Sequence, residues 1–134
     1  VNPKSTDFQG GMGALLIFAG EFELGATLVR KAINLSPNLP WWQIFSLSYY
    51  HYQRKDYHET LHLINRMQID IIWIPIIKAA CYAELGQINE AKAILQELRA
   101  AFPTVDLAQP GALNQFFYSD VIVDGLSAGL RKVF

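Results

Sequence analysis

The sequence predicts an all-α fold in which pairs of antiparallel helices pile up in series. Three observations predict it. Proline and glycine are scarce inside the long apolar-periodic segments and cluster between them, which is how helices are punctuated. No stretch of useful length alternates apolar and polar residues as a strand would. One corner pattern recurs three times along the chain.

The elements follow in order. Thr6 followed by Gln9 resembles a capping box and predicts a first helix over about Asp7–Ala19, ended by Gly20. A second, about Phe22–Leu35, carries Leu24, Leu28, Ala32 and Leu35 at helical spacing and stops at Pro37. Pro40 suits the first turn of a third helix running to about Arg54. A fourth covers about Tyr57–Met67. The fifth, about Ile72–Leu85, keeps Pro75 in its first turn and ends at Gly86. The sixth, about Ile88–Phe102, is stopped by Pro103. The tail reads as two more helices, about Gln109–Phe117 and Ser119–Val133, with Ser119 as N-cap.

The corners read Gly20-Glu-Phe-Glu-Leu-Gly25, Lys55-Asp-Tyr-His-Glu-Thr60 and Gly86-Gln-Ile-Asn-Glu-Ala91, 35 and 31 residues apart. Each has a turn residue, a large apolar residue (Phe22, Tyr57, Ile88) and then a small one (Gly25, Thr60, Ala91). The small residue lets the second helix lie close to the first, and the large one fills the wedge between them. A single pair cannot bury its own apolar face, whereas several in series can. Self-similarity near 34 residues built as helix–turn–helix is the tetratricopeptide pattern. The chain therefore resembles a tetratricopeptide domain: a right-handed α–α superhelix over residues 1–134, with repeats at about 6–37, 40–71 and 72–103 and capping helices over about 109–133. The second unit departs from the pattern, with Lys55 at the glycine position and no closing proline.

Longer stretches carry a narrower resemblance. Pro40-Trp-Trp, Tyr49-Tyr-His-Tyr52, Trp73-Ile-Pro through Ala83-Glu-Leu-Gly86, and the ending Asp124-Gly-Leu-Ser-Ala-Gly-Leu-Arg-Lys132 are similar to tetratricopeptide tails of bacterial signalling proteins. Those parents are class III adenylate or guanylate cyclases and winged-helix regulators of the ToxR type. The resemblance implies a non-catalytic interaction module at the carboxyl end of such a parent. No cyclase or DNA-binding residue is present, so neither activity is expected of this chain. The chain begins without Met, and Val1-Asn2-Pro3 resembles the close of a unit, like Leu35-Ser36-Pro37. Both point to a piece of a longer protein with further repeats upstream.

Carried over, the resemblance puts the first helix of each pair along a concave, partner-binding groove. It places Asp7, Ala14 and Ile17 there in the first unit, Trp42, Phe45, Tyr49, Tyr52 and Gln53 in the second, and Trp73, Ile76, Ala80 and Glu84 in the third. Exposed aromatics on a rigid scaffold anchor peptides and helices well. The competing reading makes these rings core, covered by the terminal helices, since large exposed apolar patches are uncommon in monomers. The expected partner is a protein or peptide, with a homodimer through the same patch as a further option.

Composition bounds the rest. A hydrophobic fraction of 51% is enough for a core, so disorder is not expected. The net charge of −1 with dispersed Lys and Arg gives no nucleic-acid footprint. The longest apolar runs, Ala14–Ala19 and Ile71–Ile77, are too short to span a bilayer, so no membrane insertion is expected. The single cysteine, Cys81, fits a small buried residue and a reducing compartment. The expected location is cytoplasmic, with a periplasmic position in a membrane-anchored parent as the alternative. No cofactor is expected.

His58-Glu59-Thr60-Leu61-His62 matches H-E-x-x-H, which on a helix sets two imidazoles one turn apart to share zinc, with Glu84 as a conceivable third ligand. A zinc-dependent hydrolase is therefore the enzyme alternative. Against it, Thr60 sits at the small packing position and both histidines fall on the outer face. Gly10-Gly11-Met12-Gly13 follows no strand and reads as close helix packing rather than a phosphate loop. No catalytic residue is assigned. A small-molecule sensor using the aromatic groove is a third possibility.

Overall fold

The computed structural model describes residues 3–36, 38–67, 69–109, 111–115 and 120–134. Among them lie seven α-helices, one 3-10 turn and no strand, so the chain is all-α. It divides into two compact units, Val1–Met67 and Gln68–Phe134.

The first unit holds α1 (Pro3–Phe18), α2 (Phe22–Leu35), α3 (Trp41–Gln53) and α4 (Tyr57–Arg66). α1 pairs with α2, α3 pairs with α4, and α3 also packs on both α1 and α2. The second unit holds α5 (Trp73–Glu84), α6 (Ile88–Ala101), a 3-10 turn (Ala112–Gln115) and α7 (Asp120–Leu130). Here α5 pairs with α6, and α7 packs on α5 and on the 3-10 turn.

The three hairpin corners share one backbone solution. Gly20, Lys55 and Gly86 take φ of +95°, +64° and +79°. The next amide in each case reaches back five residues: Glu21 N donates to Leu16 O at 2.8 Å, Asp56 N to His51 O at 2.9 Å, and Gln87 N to Tyr82 O at 2.8 Å. This is the Schellman closure of a helix end. The following helix then starts from Glu21, Asp56 or Gln87, whose φ/ψ are −85/70°, −95/72° and −87/69°. The carbonyl oxygen of each accepts at 3.1 Å from the amide four residues on, that of Gly25, Thr60 or Ala91. Those three small residues are all buried. Lys55 thus occupies a left-handed conformation that glycine adopts without steric cost.

Close approach of α1 and α2 decides which side of α2 faces inward. Gly25, Ala26, Val29 and Ala32 are buried, while Leu24 and Leu35 are 57% and 47% exposed. Of the four residues at helical spacing, Ala32 faces inward while Leu24 and Leu35 do not: the bulky leucines would hold the helices apart, and the small residues do not.

Helix ends differ from expectation at two places. α1 begins at Pro3, a position where proline's missing N–H is harmless. Thr6 therefore lies within the helix and is buried, so the expected capping box does not start it. The helix expected over about Gln109–Phe117 is a 3-10 turn over Ala112–Gln115, entered through Gly111 at φ +77°; the rest of that expectation, at 116–117, and the N-cap expected at Ser119 lie outside the described residues. No helix among the described residues is long and apolar enough to cross a membrane.

Candidate binding surface

In the first unit, α3 carries most of the residues expected to line a groove. Phe45, Tyr49 and Tyr52 are 0%, 1% and 5% exposed. The Tyr49 ring stacks on Tyr52 with centroids 5.8 Å apart and approaches Phe22 of α2 at 6.4 Å. Tyr52 in turn meets the edge of Tyr57 on α4 at 5.5 Å. The rings join α2, α3 and α4, with the two corner aromatics Phe22 and Tyr57 at the ends of the chain of contacts. These positions are corrected from groove to core. Ala14 and Ile17 of α1, also expected in the groove, are fully buried, and Asp7 is exposed.

Of the α3 residues expected in the groove, Trp42 is half-buried and Gln53 exposed. Trp42 rests against α1: a methyl group on Gly11 would sit 3.4 Å from the Cη2 atom of its indole. Beside it Gln43 is buried and donates from Nε2 to Asp7 O at 3.1 Å, with its amide lying over Gly10, where a side chain would collide with it.

A polar cluster at the α2/α3/α4 junction has no counterpart in the sequence reading. Arg54 Nη1 donates to Glu23 Oε1 at 2.6 Å and to Tyr50 Oη at 3.1 Å, and Tyr50 Oη donates to the Glu23 carboxylate at 3.1–3.2 Å. The guanidinium carbons of Arg30 and Arg54 lie 5.3 and 5.5 Å from the Tyr50 ring centroid, in cation–π range. Arg30 Nη2 stands 3.3 Å from His51 Nε2. Arginine only donates, so Nε2 accepts and the ring proton resides on Nδ1, which faces Asp56 Oδ2 at 3.9 Å. Burial, and next the Arg30 charge, hold the His51 pKa below its ordinary 6.5. The neutral ring also packs edge-on against Tyr50 at 5.2 Å. Glu23 and Arg54 are separated by 31 residues, and nothing local in the sequence marks them as partners.

In the second unit, Trp73 and Glu84 are half-buried, while Ile76 and Ala80 are fully buried and so belong to the core rather than to an open groove. Lys132 Nζ donates to Glu84 Oε2 at 2.7 Å. Cys81 is fully buried, and burial together with the Glu84 charge pushes its thiol up to about 12. A cavity of about 200 Å³ opens between the 3-10 turn and the end of α7, walled by Leu107, Leu113, Leu130 and Phe134 with Ser127 and Arg131 at its polar side.

The H-E-x-x-H residues behave as an ordinary second helix. His58 and His62 are exposed on α4. Thr60 is fully buried, its hydroxyl donating to Ser48 O at 3.2 Å and Asp56 O at 2.9 Å. Asp56, not the motif, caps the helix by accepting from Glu59 N at 3.4 Å. No group of three His, Cys, Asp or Glu among the described residues is placed to hold a metal ion.

No family model, no curated protein and no solved structure matches the chain.

Proposed function

We propose that the chain is a non-catalytic protein–protein interaction module of tetratricopeptide type, the regulatory part of a cytoplasmic bacterial signalling protein such as a cyclase or a winged-helix regulator. One observation carries the reading. Three helix hairpins turn through corners of the same backbone geometry, at a spacing close to the tetratricopeptide period, each with a small buried residue where the two helices touch. Hairpins of that kind stack into arrays whose surfaces serve as scaffolds. The packing of α3 on α1 and α2, and of α7 on α5, supports stacking within each unit.

Binding is assigned in the first unit to the accessible part of α3, with the half-buried Trp42 as anchor and Gln53 as a polar contact. The test is a titration of purified chain with the effector domain encoded in the same gene, followed calorimetrically. Trp42→Ala weakening binding tenfold or more with unchanged far-UV circular dichroism is the expected result, on the order of 1.4 kcal/mol or more. Binding indifferent to Trp42, or none to any domain of the parent, would overturn the assignment. A right-handed stack of hairpins is the expected arrangement in a crystal structure, and hairpins that do not stack would remove the tetratricopeptide reading. Stoichiometric zinc in purified protein, lost on His58→Ala, would favour the hydrolase instead.

A further inference from the structure

The outer face of α1 carries an uncovered apolar seam. Phe8, Met12 and Leu15 are 71%, 42% and 59% exposed, and Ala19 is exposed too. Their spacing of four, three and four residues is that of a helix-packing stripe, and no charge interrupts it.

The repeated corner geometry puts α1 and α3 in a common register, because Gly20 and Lys55 are the same structural position. Counting back from that position, Phe8, Met12, Leu15 and Ala19 correspond to Gln43, Leu47, Tyr50 and Arg54. On α3 this stripe is the face seated on the preceding hairpin. Gln43 donates to the Asp7 carbonyl of α1, while Tyr50 and Arg54 both donate to Glu23 of α2. Gln43, Leu47 and Tyr50 are 2–4% exposed as a result of their packing.

We propose that Phe8, Met12, Leu15 and Ala19 form the seat of one further α-helical hairpin, supplied by polypeptide N-terminal to α1 and stacked as α1/α2 stacks on α3. The inference rests on the stacked-hairpin reading and deepens it by naming the occupant. A second copy of the chain fits less well. The register calls for an occupant that presents two helices, as α1 and α2 do to α3, and an α1 seam meeting its own copy presents one. The exposed residues of α7 differ in kind, being Asp120, Asp124 and the small Ala128, with no large apolar side chain among them.

The test compares the 134-residue chain with the full-length gene product. Cys81 is buried and is the one cysteine of the 134 residues, so Phe8→Cys adds a single accessible thiol to them at a site too exposed to disturb folding. Maleimide labelling at position 8 is expected to slow by about tenfold or more in the longer protein, as cover by a packed element requires, while a Lys92→Cys control labels alike in both. Leu15→Glu is expected to lower the melting temperature of the longer protein and leave that of the 134-residue chain unchanged. The gene is expected to encode, 31 to 35 residues ahead of Gly20, a corner with a large apolar residue two places on and a small one five places on. Equal labelling in both lengths, a gene with no such hairpin, or protection within the 134-residue chain that grows with concentration (the signature of a second copy) would each overturn the proposal. Failure of the partner assignment, by contrast, leaves position 8 protected and shows only in the Trp42 titration.

Discussion

Gly13 and Gly25 face each other across the α1/α2 contact with no room for a side chain on either. A methyl group on Gly13 would come within 2.7 Å of the Gly25 carbonyl oxygen, and one on Gly25 within 2.6 Å of the Gly13 carbonyl oxygen. Both obstacles are backbone, so relief requires the helices to separate. Alanine gains roughly 1 kcal/mol of helix propensity over glycine, but overpacking a rigid contact costs about 1–3 kcal/mol or more. Gly13→Ala and Gly25→Ala are each expected to destabilise the protein by about 1–2 kcal/mol net in urea titrations. An unchanged or raised midpoint would mean that the helices are not this close.

At the second corner, Lys55 holds φ +64°. The left-handed conformation costs a residue with a Cβ about 1–2 kcal/mol, and glycine loses about 0.5–1 kcal/mol in unfolded-state entropy. Lys55→Gly is thus expected to be neutral to mildly stabilising, by up to about 1 kcal/mol, and Lys55→Val to destabilise by at least that much. Thermal melts of the two variants give the ordering, and a valine variant as stable as the glycine one would contradict the assigned conformation.

Tyr49→Ala removes a fully buried ring stacked on Tyr52. Truncating a large buried aromatic costs about 3–5 kcal/mol, so this variant is expected to lose most of its stability. Trp42→Ala, at a half-buried position, is expected to cost clearly less. Equal behaviour of the two, with helicity retained in both, would return Tyr49 to the surface.

His51 makes stability depend on pH with a definite sign. Its folded pKa lies below 6.5, so between the folded value and 6.5 the unfolded chain binds more protons than the folded one. Stability therefore rises with pH through that window, is fully present above 6.5, and is lost as the pH falls through the folded pKa. Protonation also sets two cations, His51 and Arg30, against each other. The melting temperature is expected to fall from pH 7.5 to 5.5, and His51→Gln is expected to flatten the profile. An unaltered slope in the variant would assign the dependence to other groups.

With its thiol pushed up to about 12, Cys81 is almost entirely protonated at pH 8, with roughly one molecule in 10⁴ as thiolate. Native protein is expected to resist a thiol-specific disulfide reagent for hours and to react at once in denaturant. Fast reaction under native conditions would require an accessible Cys81.

Local chemistry made the helices and corners legible in advance. Phe22–Leu35 matches its expected span, and the corners at Gly20, Lys55 and Gly86 fall where turn residues and hydrophobic periodicity set them, since helix ends depend on a few neighbouring residues. Tertiary packing decided the rest. A 3.6-residue period shows that Phe45, Tyr49 and Tyr52 share an apolar face but is silent on whether that face is covered. It cannot tell that Gly25 and Ala32, not Leu24 and Leu35, meet α1. Nor does it pair Glu23 with Arg54 across 31 residues, or leave Phe8, Met12 and Leu15 bare. Burial belongs to the neighbour as much as to the residue, and the neighbour is fixed only when the helices are brought together.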